Sequence, residues 1–211
     1  MKRINQPNIN TPNYWNGVYK KGLDPEIVKM DEFKFKIIAH HLVDGTKVLD
    51  LGCGTGELCK IISEERPYCI VWGVDFSEEA IKKASELNKD NKFIVRDITK
   101  TDFFDKEFDY VVSCEILEHL EEPEKLIKEA SRLLKPGGIF ILTTPFGNHI
   151  PSLEHIWEFD YADIENMLVR WFKDFWVFPW VAGWTEVRET KSQMLIYPKG
   201  HWDTIMAIAI R

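Results

Sequence analysis

The segment Val48-Leu49-Asp50-Leu51-Gly52-Cys53-Gly54-Thr55-Gly56 constrains this chain more than any other. A short apolar run passes into three alternate glycines and then into a helical pattern, which reads as a strand feeding a glycine loop at a helix start. Glycines in such a loop let the backbone turn sharply and come close to a ligand, at the carboxyl edge of a parallel sheet where open α/β folds bind nucleotides. The spacing then narrows the choice. Glu57 stands where the dinucleotide fingerprint Gly-x-Gly-x-x-Gly/Ala needs a small residue, and the loop lacks the Gly-Lys-Ser/Thr ending that cradles phosphates. Both of those nucleotide readings lose ground.

Two further strand ends converge on the same place. Ile70-Val71-Trp72-Gly73-Val74 ends at Asp75, an acid at the tip of a second strand and well placed to accept hydrogen bonds from the two hydroxyls of a ribose. Phe76 follows, positioned to lie against an adenine ring. Phe93-Ile94-Val95 leads to Asp97 and Ile98, suited to the polar and apolar sides of that ring. At this point the chain resembles the class I S-adenosylmethionine-dependent methyltransferases, including the ubiquinone-pathway O-methyltransferase-like and small-molecule methyltransferase group. The resemblance rests on VLDLGCGTG, GVDFS, VRDI, FDYVVSCEILEHL and LKPGGIFILTTP, in that order, and covers roughly residues 45 to 145.

The resemblance implies an α/β fold: a Rossmann-like seven-stranded, mostly parallel sheet with helices on both faces and an antiparallel last strand. Strands are expected near 47–51, 70–74, 92–95, 109–114 and 139–143, alternating with helices near 57–65, 78–88 and 123–134. Pro136-Gly137-Gly138 stops the last of these helices and turns the chain into the fifth strand. A helix from Asp160 to Trp171, a strand from Phe175 to Val181 and a strand from Thr204 to Ile210 complete the sheet, with a long hairpin loop from Gly183 to His201. One domain over residues 1–211 is the expectation: an arm and helix over 1–44, the cofactor-binding core over 45–145, and a substrate-side region with the last two strands over 146–211. Within the first part, residues 1–30 are rich in Asn and Pro and read as an irregular arm, and Asp31 to Leu42 as a helix.

The implied cofactor is S-adenosyl-L-methionine. Asp50 and the backbone of Gly52, Cys53, Gly54 and Gly56 would hold its methionine end, with the amide dipoles of the following helix facing its carboxylate. Asp75 and Phe76 would take the ribose and adenine, Asp97 and Ile98 the adenine edge, and Cys114 and Glu115 would touch the cofactor after the fourth strand. Trp15 and Tyr19, with Tyr14, resemble aromatic residues that close the pocket ahead of the core in many family members; the bland alternative is that they merely pin the arm to the core. A sulfonium methyl group is already activated, so the remaining work is to align a nucleophile and remove its proton.

Glu115, Glu118 and His119 follow the fourth strand at i, i+3 and i+4, a spacing that gathers all three if a helical turn begins there. His119 and His155 are the candidate catalytic bases. Glu-x-x-Glu-His also resembles the metal motif of ubiquinone-pathway O-methyltransferases and of small-RNA 3'-terminal 2'-O-methyltransferases. Relatives without a metal carry a similar sequence, and no metal is assigned. His149, His40 and His41 have weaker cases, the last two as residues ending a helix.

Six of the eight tryptophans lie after Pro145; most are assigned to packing, with Trp157 and Trp184 as candidate pocket walls. The net charge of -7 lowers the prior for nucleic acid, and Asn/Asp-Pro-Pro-Tyr/Phe of amino-methylating DNA enzymes is missing after the fourth strand. No apolar stretch approaches the ~20 residues of a membrane span. Cys53, Cys59, Cys69 and Cys114 form neither a Cys-x-x-Cys pair nor a disulfide framework and read as reduced. The expected protein is a cytoplasmic monomer or homodimer acting on a small-molecule acceptor, most readily at oxygen. Alternatives are N-methylation, metal-assisted RNA terminal methylation, and a noncatalytic cofactor-binding module.

Overall fold

The computed structural model describes residues 1–23, 25–147, 152–180 and 204–211. Its centre is strand β1, Lys47–Leu51, whose last four residues are buried. Strand β2, Ile70–Asp75, and strand β4, Phe108–Cys114, pair with it in parallel on either side. Strand β3, Lys92–Val95, lies outside β2, and strand β5, Leu134–Pro145, lies outside β4, both parallel to their neighbours. Strand β7, Thr204–Ile210, then runs antiparallel between β5 and strand β6, Asp174–Trp180. The order is therefore β3-β2-β1-β4-β5-β7-β6. This is the expected seven-stranded, mostly parallel sheet with an antiparallel last strand.

The parallel strands read as near-continuous apolar runs because both of their faces are covered. On one face Leu49, Leu51, Val111, Phe140 and Leu142 pack with residues of helices α5, Pro123–Leu133, and α6, Tyr161–Leu168. On the other, Val48, Val71, Val112, Ile141 and Met206 pack with helices α2, Pro25–His41, and α3, Glu57–Glu65. Helix α4, Glu78–Leu87, starts at Ser77, whose hydroxyl accepts the Ala80 amide at 3.2 Å. Asp160 and Asp163 form a reciprocal capping box at the start of α6.

The arm departs from the expectation. Residues Pro12–Lys21 form helix α1, because Thr11 caps the Tyr14 amide and Pro12 occupies the first turn, where an N–H has no intrahelical partner. Helix α2 begins at Pro25, six residues before the expected start at Asp31, and α6 ends at Leu168, short of Trp171. Lys2–Arg3 is a two-residue strand paired antiparallel with Trp157–Glu158. The hairpin region 183–201 with Trp184, and also His149, lie outside the described residues.

Candidate active site

The glycine loop takes its shape from three left-handed residues: Gly52, Gly54 and Gly56 have φ of 87°, 51° and 85°. At Gly52 a Cβ would stand 2.4 Å from Ile116 Cδ1, so the loop is pressed against the turn that follows β4. Asp75, 4% exposed, ties the loop to the end of β2: its Oδ2 accepts the Gly54 amide at 3.1 Å and its Oδ1 the Ser77 amide at 2.9 Å. Burial raises the Asp75 pKa despite these amides. A carboxylate has about four acceptor positions, so two bonds leave capacity for a diol. Asp50 is also buried and accepts Cys59 Sγ at 3.6 Å; burial pushes its carboxyl up to about 7. Burial likewise raises the thiols of Cys53 and Cys114. Phe76 is half-buried and Ile98 buried, whereas Asp97 is exposed, its Oδ1 accepting the amide and hydroxyl of Thr99 at 2.8 Å.

Helix α1 lies over this loop. A Cβ on Gly54 would be 3.1 Å from the Tyr19 hydroxyl. Asn16 Oδ1 accepts Ser77 Oγ at 2.6 Å, and Lys83 Nζ donates to the Tyr19 carbonyl. Trp15 stands one turn from Tyr19, with ring centroids 5.8 Å apart, and packs edge-on against His119 at 5.3 Å. Tyr19 thus faces the glycine loop, and Trp15 bridges from Tyr19 to His119.

The group after β4 also differs from the expected helical turn. Only Leu117–His119 form a single 3-10 turn, and Glu115 precedes it at a left-handed φ of 52°. Glu115 Oε1 accepts Lys34 Nζ at 2.9 Å and Thr143 Oγ1 at 2.7 Å, so this carboxylate is bonded to Lys34 and Thr143 rather than to Glu118 or His119. Lys34 is buried and also reaches Asp31 at 2.9 Å; burial alone would lower its pKa, but the carboxylates of Glu115 and Asp31 outweigh it and raise it.

Glu118 instead meets His119 and His155. Its side chain is 1% exposed, with Oε2 accepting Thr144 Oγ1 at 2.9 Å, while Oε1 has no hydrogen-bond partner. That orphaned oxygen lies 3.7 Å from His119 Nε2 and 3.9 Å from His155 Nε2. The two imidazole rings are 5.0 Å apart at 67°. Burial, then the charge of Glu115, pushes the Glu118 carboxyl well up, and burial with the neighbouring His155 lowers His119 to about 4. Among the described residues these three side chains offer ligand atoms within 4.8 Å of one another, a set with the spacing a divalent cation needs. Trp157 is not at this centre: its Nε1 donates to the Leu120 carbonyl at 2.8 Å and Arg3 lies over its ring.

The sequence pattern of the family described as "Methyltransferase domain" matches residues 42–177, well over half of the chain. The chain belongs to this methyltransferase family. Among curated proteins it is 36% identical over 104 residues to the 2-methyl-6-phytyl-1,4-hydroquinone methyltransferase of Synechocystis, covering 48% of this chain and 32% of that protein. It is 34% identical over 104 residues to a ubiquinone biosynthesis O-methyltransferase of Coxiella burnetii, covering 47% and 44%. The matched region spans less than half the length of either relative. Among solved structures it resembles the Haemonchus contortus phosphoethanolamine N-methyltransferase 2 in complex with S-adenosyl-L-methionine, with a TM-score of 0.62 and 24% identity over 71% of this chain and 38% of that one. That solved structure holds S-adenosyl-L-methionine, and the site here fits such a group: a glycine turn with three left-handed residues, with Asp50 and Asp75 buried beside it.

Three contributors were not singled out from the sequence. Lys34 carried a signal, since it lies four residues before the buried Ile38 on α2 and eight before the buried Leu42 just past its end, and a lysine on a core-facing stripe needs a partner. Asn16 and Glu154 carried none; their roles depend on contacts with residues far away in the chain.

Proposed function

We propose that this chain transfers the methyl group of S-adenosyl-L-methionine to an oxygen of a hydroxylated small molecule, with His119 and His155 at the acceptor. What supports this is the placement of His119, whose Nε2 lies 3.7 Å from the orphaned oxygen of Glu118; burial lowers its pKa, which favours the neutral imidazole that can accept a proton. Asp75 and Phe76 take the ribose and adenine, with Asp97 and Ile98 toward the adenine edge. The amides after Gly52 and the buried cation Lys34 serve the methionine carboxylate, and Cys114 and Glu115 its amino group, with Tyr19 as the cover. With S-adenosyl-L-methionine bound, binding would align the acceptor oxygen with its methyl carbon, and His119 would accept the hydroxyl proton as the C–O bond forms and the methyl–sulfur bond breaks, leaving S-adenosylhomocysteine. The names of the two curated relatives, both tied to quinones or hydroquinones, support a hydroxylated aromatic acceptor. A net charge of -7 argues against a polynucleotide. Four free thiols, and no described helix long and apolar enough to cross a membrane, support action in the cytoplasm.

A second reading is favoured by the same orphaned oxygen. Glu118, His119 and His155 would hold a divalent cation, which would polarise an acceptor hydroxyl. The test is turnover of labelled S-adenosyl-L-methionine with a panel of catechols and hydroquinones, before and after chelation. With His119 as base, turnover survives chelation, and His119→Ala loses rate by ~100-fold to 10,000-fold with cofactor affinity nearly unchanged. Activity lost on chelation and restored by a stoichiometric cation replaces the base reading with the metal one. Methylation confined to amine acceptors overturns the oxygen assignment.

A further inference from the structure

The N-terminal segment meets the histidine centre at several points, and the Glu154 peptide is one that touches His119 itself. Glu154 presents its backbone carbonyl to two groups at once: Asn10 Nδ2 donates to it at 2.7 Å, and His119 Nδ1 lies 3.1 Å away. The Glu154 side chain is held as well, with Tyr14 Oη donating to Oε1 and Ser152 Oγ to Oε2. Trp15 Nε1 donates to Asn10 Oδ1 at 3.1 Å, which orients the Asn10 amide, while the Trp15 ring packs against His119. Farther back, the Ile4 amide donates to the Ile156 carbonyl at 2.9 Å, and the Ile156 amide to the Glu118 carbonyl at 2.9 Å. The segment before α1 is therefore laid along residues 152–158, and those residues along the turn that carries Glu118 and His119.

We infer that Asn10 and Tyr14 are positioning residues for His119, acting through Glu154 to fix its tautomer. A carbonyl oxygen has no proton to give, so the bond from His119 to Glu154 requires the hydrogen on Nδ1. The lone pair is then on Nε2, the atom 3.7 Å from Glu118 Oε1. Loosening the Glu154 peptide removes the feature that selects this tautomer, and an imidazole with its proton on Nε2 cannot accept one there. The consequence for turnover rests on the proposed role of His119 at the acceptor; the tautomer itself does not.

The test compares wild type with the Asn10→Ala/Tyr14→Phe double variant, and with Glu154→Gln as a milder perturbation that keeps the peptide carbonyl. Long-range nitrogen–proton NMR on the full chain labelled with 15N-histidine reads the tautomer of His119 without any need for turnover. Wild type is expected to show one tautomer, protonated at Nδ1, and the double variant a mixture, with kcat lower by about tenfold and cofactor affinity unchanged. Wild type protonated at Nε2, or a double variant that retains the single Nδ1-protonated form, overturns the inference. A mixed tautomer with unchanged kcat supports the positioning and instead removes His119 from the reaction, so the two failures are separate.

Discussion

Asp75→Ala separates the two jobs that this carboxylate holds in the structure. It accepts the Gly54 amide at 3.1 Å and the Ser77 amide at 2.9 Å, and in the proposed complex it also accepts the ribose hydroxyls. Losing a hydrogen bond to a charged group costs ~1.5–3 kcal/mol, so removing the ribose contact alone weakens S-adenosylhomocysteine about tenfold to 150-fold. The ligand-free protein also suffers, because two amides lose their acceptor. Against this, alanine relieves the desolvation that raises the Asp75 pKa, so the stability loss falls near ~2 kcal/mol rather than at twice that. In a chain of this size that is roughly 4–8 °C in Tm. Asp75→Asn keeps one carbonyl for one of the two amides and should fall between. Titration calorimetry at neutral pH, alongside thermal unfolding of the free proteins, reads both quantities. A folded Asp75→Ala protein that binds S-adenosylhomocysteine within about threefold of wild type would refute the ribose assignment.

Two other substitutions test the core beneath the site. Gly73→Ala places a Cβ 2.6 Å from Phe93 Cδ1 and 2.8 Å from Cys53 Sγ, so overpacking of ~1–3 kcal/mol and weaker cofactor binding through the displaced loop are expected. An unchanged denaturation midpoint contradicts that. Glu129 accepts the Thr101 amide at 2.7 Å and Arg132 Nη2 at 2.7 Å; against the effect of burial, its bonds from Arg132 and Thr101 hold its pKa below the usual 4.5. Its folded pKa being the lower one, its stabilisation is present above pH 4.5 and is lost as pH falls through the folded value. Glu129→Gln should cost about 1–2 kcal/mol near neutrality, discounted for the partly exposed Arg132, and flatten the acid limb of stability against pH. A variant with the same acid limb as wild type places the proton uptake elsewhere.

The sheet was legible because its signals are local and repeated. β1, β2 and β4 hold apolar runs of strand length, as does β5 from Ile139, although β5 itself begins five residues earlier at Leu134, and the glycines of the loop do adopt the left-handed φ that their spacing suggested. The ends of β1 and β2 were readable for the same reason, since a buried Asp50 or Asp75 at a strand tip stands out against the run before it. Composition misled in the arm. Asn and Pro read as irregular, yet Thr11 and Pro12 are a helix start, and the residues that follow them form two and a half turns. At Glu115 the regular spacing misled, since i, i+3, i+4 gathers side chains only if the first residue is helical, and a left-handed φ sends this one to Lys34 instead. The bonds from Asn10 and Tyr14 to Glu154 span 144 and 140 residues of sequence, and no periodicity encodes a contact at that separation.

That long-range closure explains why α1 matters more than its own burial suggests. The helix has ten residues and none of them is buried, so it is too short to be stable by itself in water and is held by what it touches. What it touches is both halves of the site. Trp15 and Tyr19 are four residues apart and share one face, which puts one ring on His119 and the other over Gly54. On the cofactor side the helix is secured by Asn16 with Ser77 and by Lys83 with the Tyr19 carbonyl; on the histidine side by Tyr14 with Glu154. The glycine loop and the histidine centre thus have a common wall. Displacing α1 would uncover Gly54 and free the Glu154 side chain from Tyr14 in the same motion, so the two parts of the proposed site would lose their shared contact together.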